Sequence, residues 1–115
     1  MQFVHTDLHD RVRLVVLSGE LTAAHLPAQA PALLSLVISS DRDAVLDVDQ
    51  VSQIDPEGAS LLRTAAELAR MKGSRVVVCS SRRRRDELLG AGVGNDAQPR
   101  WASSLAESLA GLALP

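Results

Sequence analysis

Two short apolar runs, Ala44-Val45-Leu46-Asp47-Val48 and Val76-Val77-Val78-Cys79, restrict this chain more than anything else in it. Each suits a strand covered on both faces. Between them lies Ile54-Asp55-Pro56-Glu57-Gly58, where a buried strand is expected to give way to a helix. Asp55 is suited to cap that helix by accepting its first free N–H groups, and Pro56 brings a φ already set for the first turn. Glu57 puts a negative charge at the positive end of the macrodipole. Leu61, Leu62, Ala65, Leu68 and Ala69 then recur at helical spacing, with Ser60, Arg63, Thr64, Glu67 and Arg70 on the other side. Lys72-Gly73 should end the helix, Gly supplying the left-handed cap.

The flanking sequence continues the alternation. Gln2 to Leu8 reads as a short edge strand, and Val12 to Leu17 as a strand closed by a turn at Ser18-Gly19. Ala23 to Ile38 carries Leu26, Ala30, Leu33, Leu34 and Val37 at helical spacing with Thr22 as a cap. Pro27 is tolerated in a first turn and Pro31 is not, so this helix should start late or bend. Arg82 to Leu89 reads as a short helix closed by Gly90 and Gly92, and Asp96 to Trp101 as a last strand. Ser104 with Glu107 is a capping box opening a final helix through Leu109 and Leu112. Strands alternating with helices predict an α/β fold, a largely parallel sheet with helical crossovers, whose ligands and partners meet the carboxyl ends of the strands.

Composition narrows the function. With 115 residues the chain should form one domain, residues 1–115, and with one Phe, one Trp and no Tyr its core must be aliphatic. A net charge of −2 gives no general attraction to nucleic acid or anionic lipid. A single Cys79 excludes an internal disulfide, and no apolar run approaches the roughly 20 residues of a membrane span. A soluble, cytoplasmic protein without membrane insertion is expected.

Gly19-Glu20-Leu21, Val45-Leu46-Asp47-Val48, Ile54-Asp55-x-x-Gly58 followed by Leu61-Leu62, and Gly73 before Val76-Val77-Val78-Cys79 fall in the order and at the spacing of the STAS family. The chain resembles that family, named for sulphate transporters and bacterial anti-sigma factor antagonists, over nearly its whole length. The resemblance implies a small mixed, mostly parallel sheet packed with helices, a binding module with no catalysis of its own and no cofactor. In the antagonist branch the loop matching Asp55 to Gly58 usually reads Asp-Ser-Ser-Gly or Asp-Ser-Ala-Gly. A Ser or Thr there is phosphorylated by a serine kinase that is also the anti-sigma factor. The unphosphorylated antagonist binds that kinase and frees the sigma factor, and phosphorylation ends the interaction.

This sequence departs from the pattern at that loop. Pro56 and Glu57 occupy the two variable positions and neither has a hydroxyl, while Thr22 stands where Gly-Glu-Leu is usually followed by Asp. Two readings of Glu57 follow. As an imitation of the phosphorylated residue it supplies about one negative charge against roughly 1.5 to 2 for a phosphate. As a helix-start residue it contributes about 0.3–1 kcal/mol and has no further role. The nearest hydroxyls are Ser52, before the loop tip, and Ser60, one turn into the helix.

The resemblance places partner contact on Glu20, Thr22, Asp55, Pro56, Glu57, Gly58 and Ser60, with an anti-sigma factor or serine kinase as partner. Arg82-Arg83-Arg84-Arg85 has two readings, a solvated helix end and a dock for an acidic partner surface; four successive helical residues spread around the circumference and form no nucleic-acid stripe. Two other functions fit parts of the chain. The STAS subunit of a lipid-transport ATP-binding cassette complex shares the fold, needs no phosphorylation and has the transporter ATPase as its partner. A Mg²⁺-dependent enzyme would use Asp47, Asp49, Asp55 and Glu57, but no Lys is placed to neutralise a phosphorylated Asp and there is no Gly-rich phosphate cradle. His5 and His9 lack a third metal ligand, Cys79 reads as a small core residue, and Trp101 as a packing anchor.

Overall fold

The apolar runs form the middle of one five-stranded sheet in the order β1-β2-β3-β4-β5. A computed structural model of the chain describes residues 2–9, 12–38, 42–90 and 100–112. Strand β1 (Gln2–His9) pairs antiparallel with β2 (Val12–Leu21) at one edge, and β3 (Asp43–Ile54), β4 (Val76–Cys79) and β5 (Arg100–Ala102) continue from β2 in parallel. Helices α1 (Leu26–Ile38), α2 (Pro56–Met71), α3 (Arg82–Gly90) and α4 (Leu105–Leu112) follow β2, β3, β4 and β5 in turn.

Both faces of the sheet are covered, as the continuous apolar runs require. On one side Val15, Leu17, Leu46, Val48, Val76 and Val78 pack against Leu33 and Val37 of α1, Leu62 and Ala65 of α2, and Leu88 of α3. On the other, a smaller cluster joins Val12, Val45, Val77, Cys79 and Ala102 to Leu112 of α4. Aromatic side chains take little part: Phe3 and Trp101 are only partly buried at its margin.

Several expected boundaries move, each for a local reason. The turn expected at Ser18-Gly19 does not form; β2 runs on to Leu21 beside an equally extended β3, with register shifts between Val16 and Ser18 and between Gly19 and Glu20. Gly19 absorbs the irregularity at a φ of 79°, which a residue with a side chain resists. Helix α1 begins at Leu26, the late start expected of it, and residues 22–26 are first taken by a turn in which the Thr22 carbonyl accepts the His25 and Leu26 N–H groups at 2.9 and 3.1 Å. Pro27 lies in its first turn and Pro31 inside it. Gly92 and the first part of the Asp96 to Trp101 strand lie outside the described residues, and Arg100–Ala102 is what is seen of that strand.

The other helix ends agree with expectation. At the end of α2 the Gly73 N–H reaches the Arg70 carbonyl at 3.0 Å and the Ser74 N–H the Ala69 carbonyl at 2.9 Å, with Gly73 at a φ of 82°. These two bonds make a Schellman cap. At the start of α4 the capping box is half made. Ser104 Oγ accepts the Glu107 N–H at 3.1 Å, but the Glu107 carboxylate reaches one residue further back, to the Ser103 hydroxyl at 2.6 Å and N–H at 3.3 Å. The amino ends of β3 and β4 are fastened by Asp43, which accepts from the Arg75 N–H at 2.7 Å and its guanidinium at 2.8 Å; the same guanidinium reaches the Leu112 carbonyl at 3.2 Å.

Leu62 sits at the centre of the larger cluster with 0 % exposure, while Met71, on the same helix, is 74 % exposed. Leu62→Ala is expected to cost about 2–5 kcal/mol in urea unfolding, and Met71→Ala to stay within about 0.5 kcal/mol of the parent. Equal effects of the two would contradict this layering.

Candidate functional site

Asp55 joins three segments at the carboxyl end of β3. It caps α2 with backbone φ −102° and ψ 176°, its Oδ1 accepting the Gly58 N–H at 2.9 Å. Its Oδ2 accepts the Ala23 N–H at 2.8 Å, from the turn that follows β2. Its own N–H donates to the Leu21 carbonyl at 3.2 Å and its carbonyl accepts the Ala59 N–H at 3.0 Å. The Ala23 bond and then the Gly58 bond stabilise the ionised carboxylate, so its pKa lies below the ordinary value.

Gly58 is fixed by close approach. It is buried against the end of β2, and a Cβ built on it would lie 2.0 Å from the Leu21 carbonyl oxygen and 2.8 Å from Leu21 Cβ. Its φ is not positive, so the demand for glycine is steric. A backbone oxygen cannot swing aside as the tip of a long side chain can, and the start of α2 rests directly on β2.

This brace leaves a surface beside it. Pro56 and Glu57 are exposed on the first turn of α2, and Glu20, Ala23, Ala24 and His25 are exposed on the neighbouring turn, with His25 Nε2 3.8 Å from a Glu20 carboxylate oxygen. Thr22 is half-buried, contributing its carbonyl to the turn. The expected residues Glu20, Thr22, Asp55, Pro56, Glu57 and Gly58 therefore come together, Asp55 and Gly58 as frame and the others towards solvent. Ser60 is half-buried further along α2. Ser52 is exposed on β3 and donates to the Gly19 carbonyl at 3.1 Å, tying β2 to the extra residue that β3 carries between Val51 and Gln53.

The acidic residues do not converge. Asp47 Oδ1 accepts the Asp49 N–H at 3.0 Å and Asp49 Oδ1 the Ser81 N–H at 2.5 Å, while both Asp55 oxygens serve the brace. Among the described residues no group of three or more His, Cys, Asp or Glu could hold a metal ion. His5 lies exposed on β1. Cys79 is buried, and burial, more than the carboxylates nearby, pushes its thiol pKa up, against a hydrogen bond with Ser108.

The arginine run divides. Arg82 and Arg83 are exposed, but Arg84 is only 16 % exposed, bonded to the Val51 carbonyl and to Glu87 at 2.9 Å, and Arg85 lies over the Trp101 ring at 5.8 Å from its centroid. A uniformly solvated helix end is therefore wrong for Arg84, which anchors α3 to the carboxyl end of β3. Nothing local in four consecutive arginines distinguishes the one that turns inward. The Gly58 contact was equally hidden, although the Asp-x-x-Gly spacing, a cap and its first donor, is the signal that leads to it.

Residues 4–92 match the family model described as the STAS domain. Solved structures share the fold. The unphosphorylated form of the anti-sigma factor antagonist SpoIIAA superposes with a TM-score of 0.69 at 12% identity, covering 96% of each chain. RsbS from Moorella thermoacetica, in a variant with a serine replaced by glutamate, gives 0.78 at 17% identity over 97% of this chain and 95% of that one. An anti-sigma factor antagonist from Mycobacterium paratuberculosis gives 0.75 at 24% identity over 96% and 92%. No curated protein matches the sequence. No helix among the described residues is long and apolar enough to cross a membrane.

Two substitutions test the brace. In a helix Ala is worth about 1 kcal/mol over Gly, but a Cβ 2.0 Å from a backbone oxygen puts the overpacking cost at the top of its usual range, about 3 kcal/mol, so Gly58→Ala should give a net loss of about 2 kcal/mol. A neutral or stabilising result in chemical denaturation would show that α2 does not rest on Leu21. Asp55→Asn should lower Tm at neutral pH. Because the folded pKa of Asp55 is depressed, its contribution is complete above the ordinary carboxylate range and is lost as pH falls through the folded value. The gap in Tm between parent and variant should therefore close on acidification below about pH 4. A gap of constant size across that range would contradict it.

Proposed function

Since the chain belongs to the STAS domain family, we propose that it is a non-catalytic protein-binding module of the anti-sigma factor antagonist type, contacting an anti-sigma factor or serine kinase through Pro56, Glu57 and the 20–25 turn. The observation that carries this reading is the brace under the surface: Asp55 and Gly58 lock the loop to β2 and α2, while Pro56 and Glu57 stand exposed upon it. A preformed surface loses little conformational freedom when a partner docks. The antagonists that share the fold support the choice of partner class.

On this reading the contact is not switched by phosphorylation at positions 56 and 57, which offer no hydroxyl. Glu57 stands as a fixed carboxylate where the family's loop carries its phosphorylatable residue. It brings less charge and fewer acceptor oxygens than a phosphate, so it weakens the complex only partly. The structure of RsbS with glutamate in place of a serine is consistent with the fold accepting such a residue. The module is expected to work in the cytoplasm, as one domain.

Affinity capture from the source cell, with the purified chain as bait and mass spectrometry as readout, should recover a kinase-like anti-sigma factor. Recovery of a transporter ATPase instead would assign the chain to the lipid-transport complex. With the captured partner in hand, Glu57→Ser should bind more tightly and accept phosphate from ATP, whereas the parent should remain bound in the presence of ATP. Release of the parent by ATP, or unchanged affinity of Glu57→Ser, would remove the fixed-carboxylate reading.

A further inference from the structure

Helices α1, α2 and α3 all pack on the face of the larger core and α4 on the other, so α3 and α4 part from each other at the carboxyl ends of β4 and β5. A cleft of about 450 Å³ opens there, and its walls include Ser80 after β4, Arg82 and Arg85 of α3, Ser103 after β5, and Glu107 of α4.

The two helix starts meeting at this cleft are treated differently by the sequence. Helix α4 carries Glu107 in its first turn, and that carboxylate is also held by Ser103. Helix α3 has no acidic residue in its first turn and begins with arginines. Ser81 takes the Arg84 N–H with its hydroxyl at 3.3 Å and the Arg85 N–H with its carbonyl at 3.0 Å. The Arg82 and Arg83 N–H groups precede these and have no partner within the helix by its geometry. A positive helix end lined with more positive charge is unfavourable alone and favourable around an anion.

A second observation points to the same place. Ser80, a wall of the cleft, is 2 % exposed, and its hydroxyl has no hydrogen-bond partner. Buried hydroxyls are seldom left so. Arg82 and Arg85, three residues apart, lie on one side of α3, whereas Arg84 is spent on Val51 and Glu87. Arg85 is further positioned by the Trp101 ring beneath it.

We propose that the cleft between β4 and β5 is a binding site for a phosphomonoester, its phosphate held by Arg82, Arg85, the first N–H groups of α3 and the Ser80 hydroxyl. Planar guanidinium groups and helix N-terminal N–H groups are suited to phosphate oxygens. Asp86 also lines the cleft and, with Glu107, opposes a high affinity, so half-saturation is expected in the millimolar range. This site is separate from the partner surface proposed above and does not depend on it.

The test is titration of the ¹⁵N-labelled full chain with inorganic phosphate, then glycerol 2-phosphate, at low ionic strength. Saturable shifts centred on the amides of Arg82, Arg83 and Ser80 are expected. Arg82→Gln and Arg85→Gln should each weaken binding roughly tenfold and Ser80→Ala several-fold, while Arg63→Gln on the exposed face of α2 should change nothing. Unchanged Tm in these variants would confine the effect to the site. Shifts that never saturate, or equal affinity in every variant, would overturn the site. Binding of phosphate with none of glycerol 2-phosphate would overturn the ester assignment.

Discussion

The approach of Gly58 to the Leu21 carbonyl is the contact on which the rest of the molecule is hung. It sets the start of α2 directly on the end of β2, across β3, without any side chain between. With that distance fixed, Asp55 can reach Gly58 with one oxygen and Ala23 with the other, so a single carboxylate defines both the first turn of α2 and the turn leading to α1. The unusual length of β2 and β3 belongs to the same arrangement. Both strands continue well past the end of β4 and carry the loop above the rest of the sheet, with extra residues of β3 opposite Val16 to Glu20 and a Ser52 bond to Gly19 taking up the mismatch.

Charge at the helix starts follows a division of labour. Helix α2 opens with Asp55 and Glu57, and α4 with Glu107, each placing a carboxylate where the dipole favours one. Helix α3 opens with Arg82 to Arg85 and is held down by other means: Leu88 in the core, Arg84 on the Val51 carbonyl, and Arg85 on Trp101. Packing of an apolar face supplies most of the stability of a short helix, which is why a helix with an unfavourable first turn can persist. The same comparison separates the two loops at the carboxyl edge. The Asp55 loop is negative, its carboxylate taken up by the Ala23 and Gly58 N–H groups. The α3 start is positive and open onto a cleft.

What could be read from the sequence was whatever a few neighbouring residues decide. Continuous apolar runs gave β4 and the first part of β3, the Asp-Pro-Glu opening and Lys-Gly close gave α2 almost to the residue, and the order of short signposts led to the family. Interactions between distant residues could not be read in that way. The run of β2 past Ser18-Gly19 arises from pairing with a bulged β3, thirty-odd residues on; alone, Ser-Gly is a turn signal. The late start of α1 was legible in its prolines, but not the bond from Ala23 to Asp55 that holds the preceding turn. The shift of Glu107 from Ser104 to Ser103 is a choice between two adjacent donors that spacing does not make. The separate fates of Arg82, Arg84 and Arg85 depend on what lies opposite each: a polar cleft, a strand carbonyl, an indole.

A braced loop has a consequence for how such a module can be regulated. Where a partner surface is assembled on binding, small changes in sequence or solution can shift the population of competent states. Here the frame is fixed by backbone contact and by a carboxylate already ionised at neutral pH, so the population has little room to shift. Control must then come from charge placed on the surface, from the partner, or from the amount of protein. On the proposed reading the first route requires a hydroxyl at the tip, where Pro56 and Glu57 supply none. A rigid surface of that kind would then be suited to constant occupancy, its strength set by the fixed charge of Glu57 and the shape of the 20–25 turn.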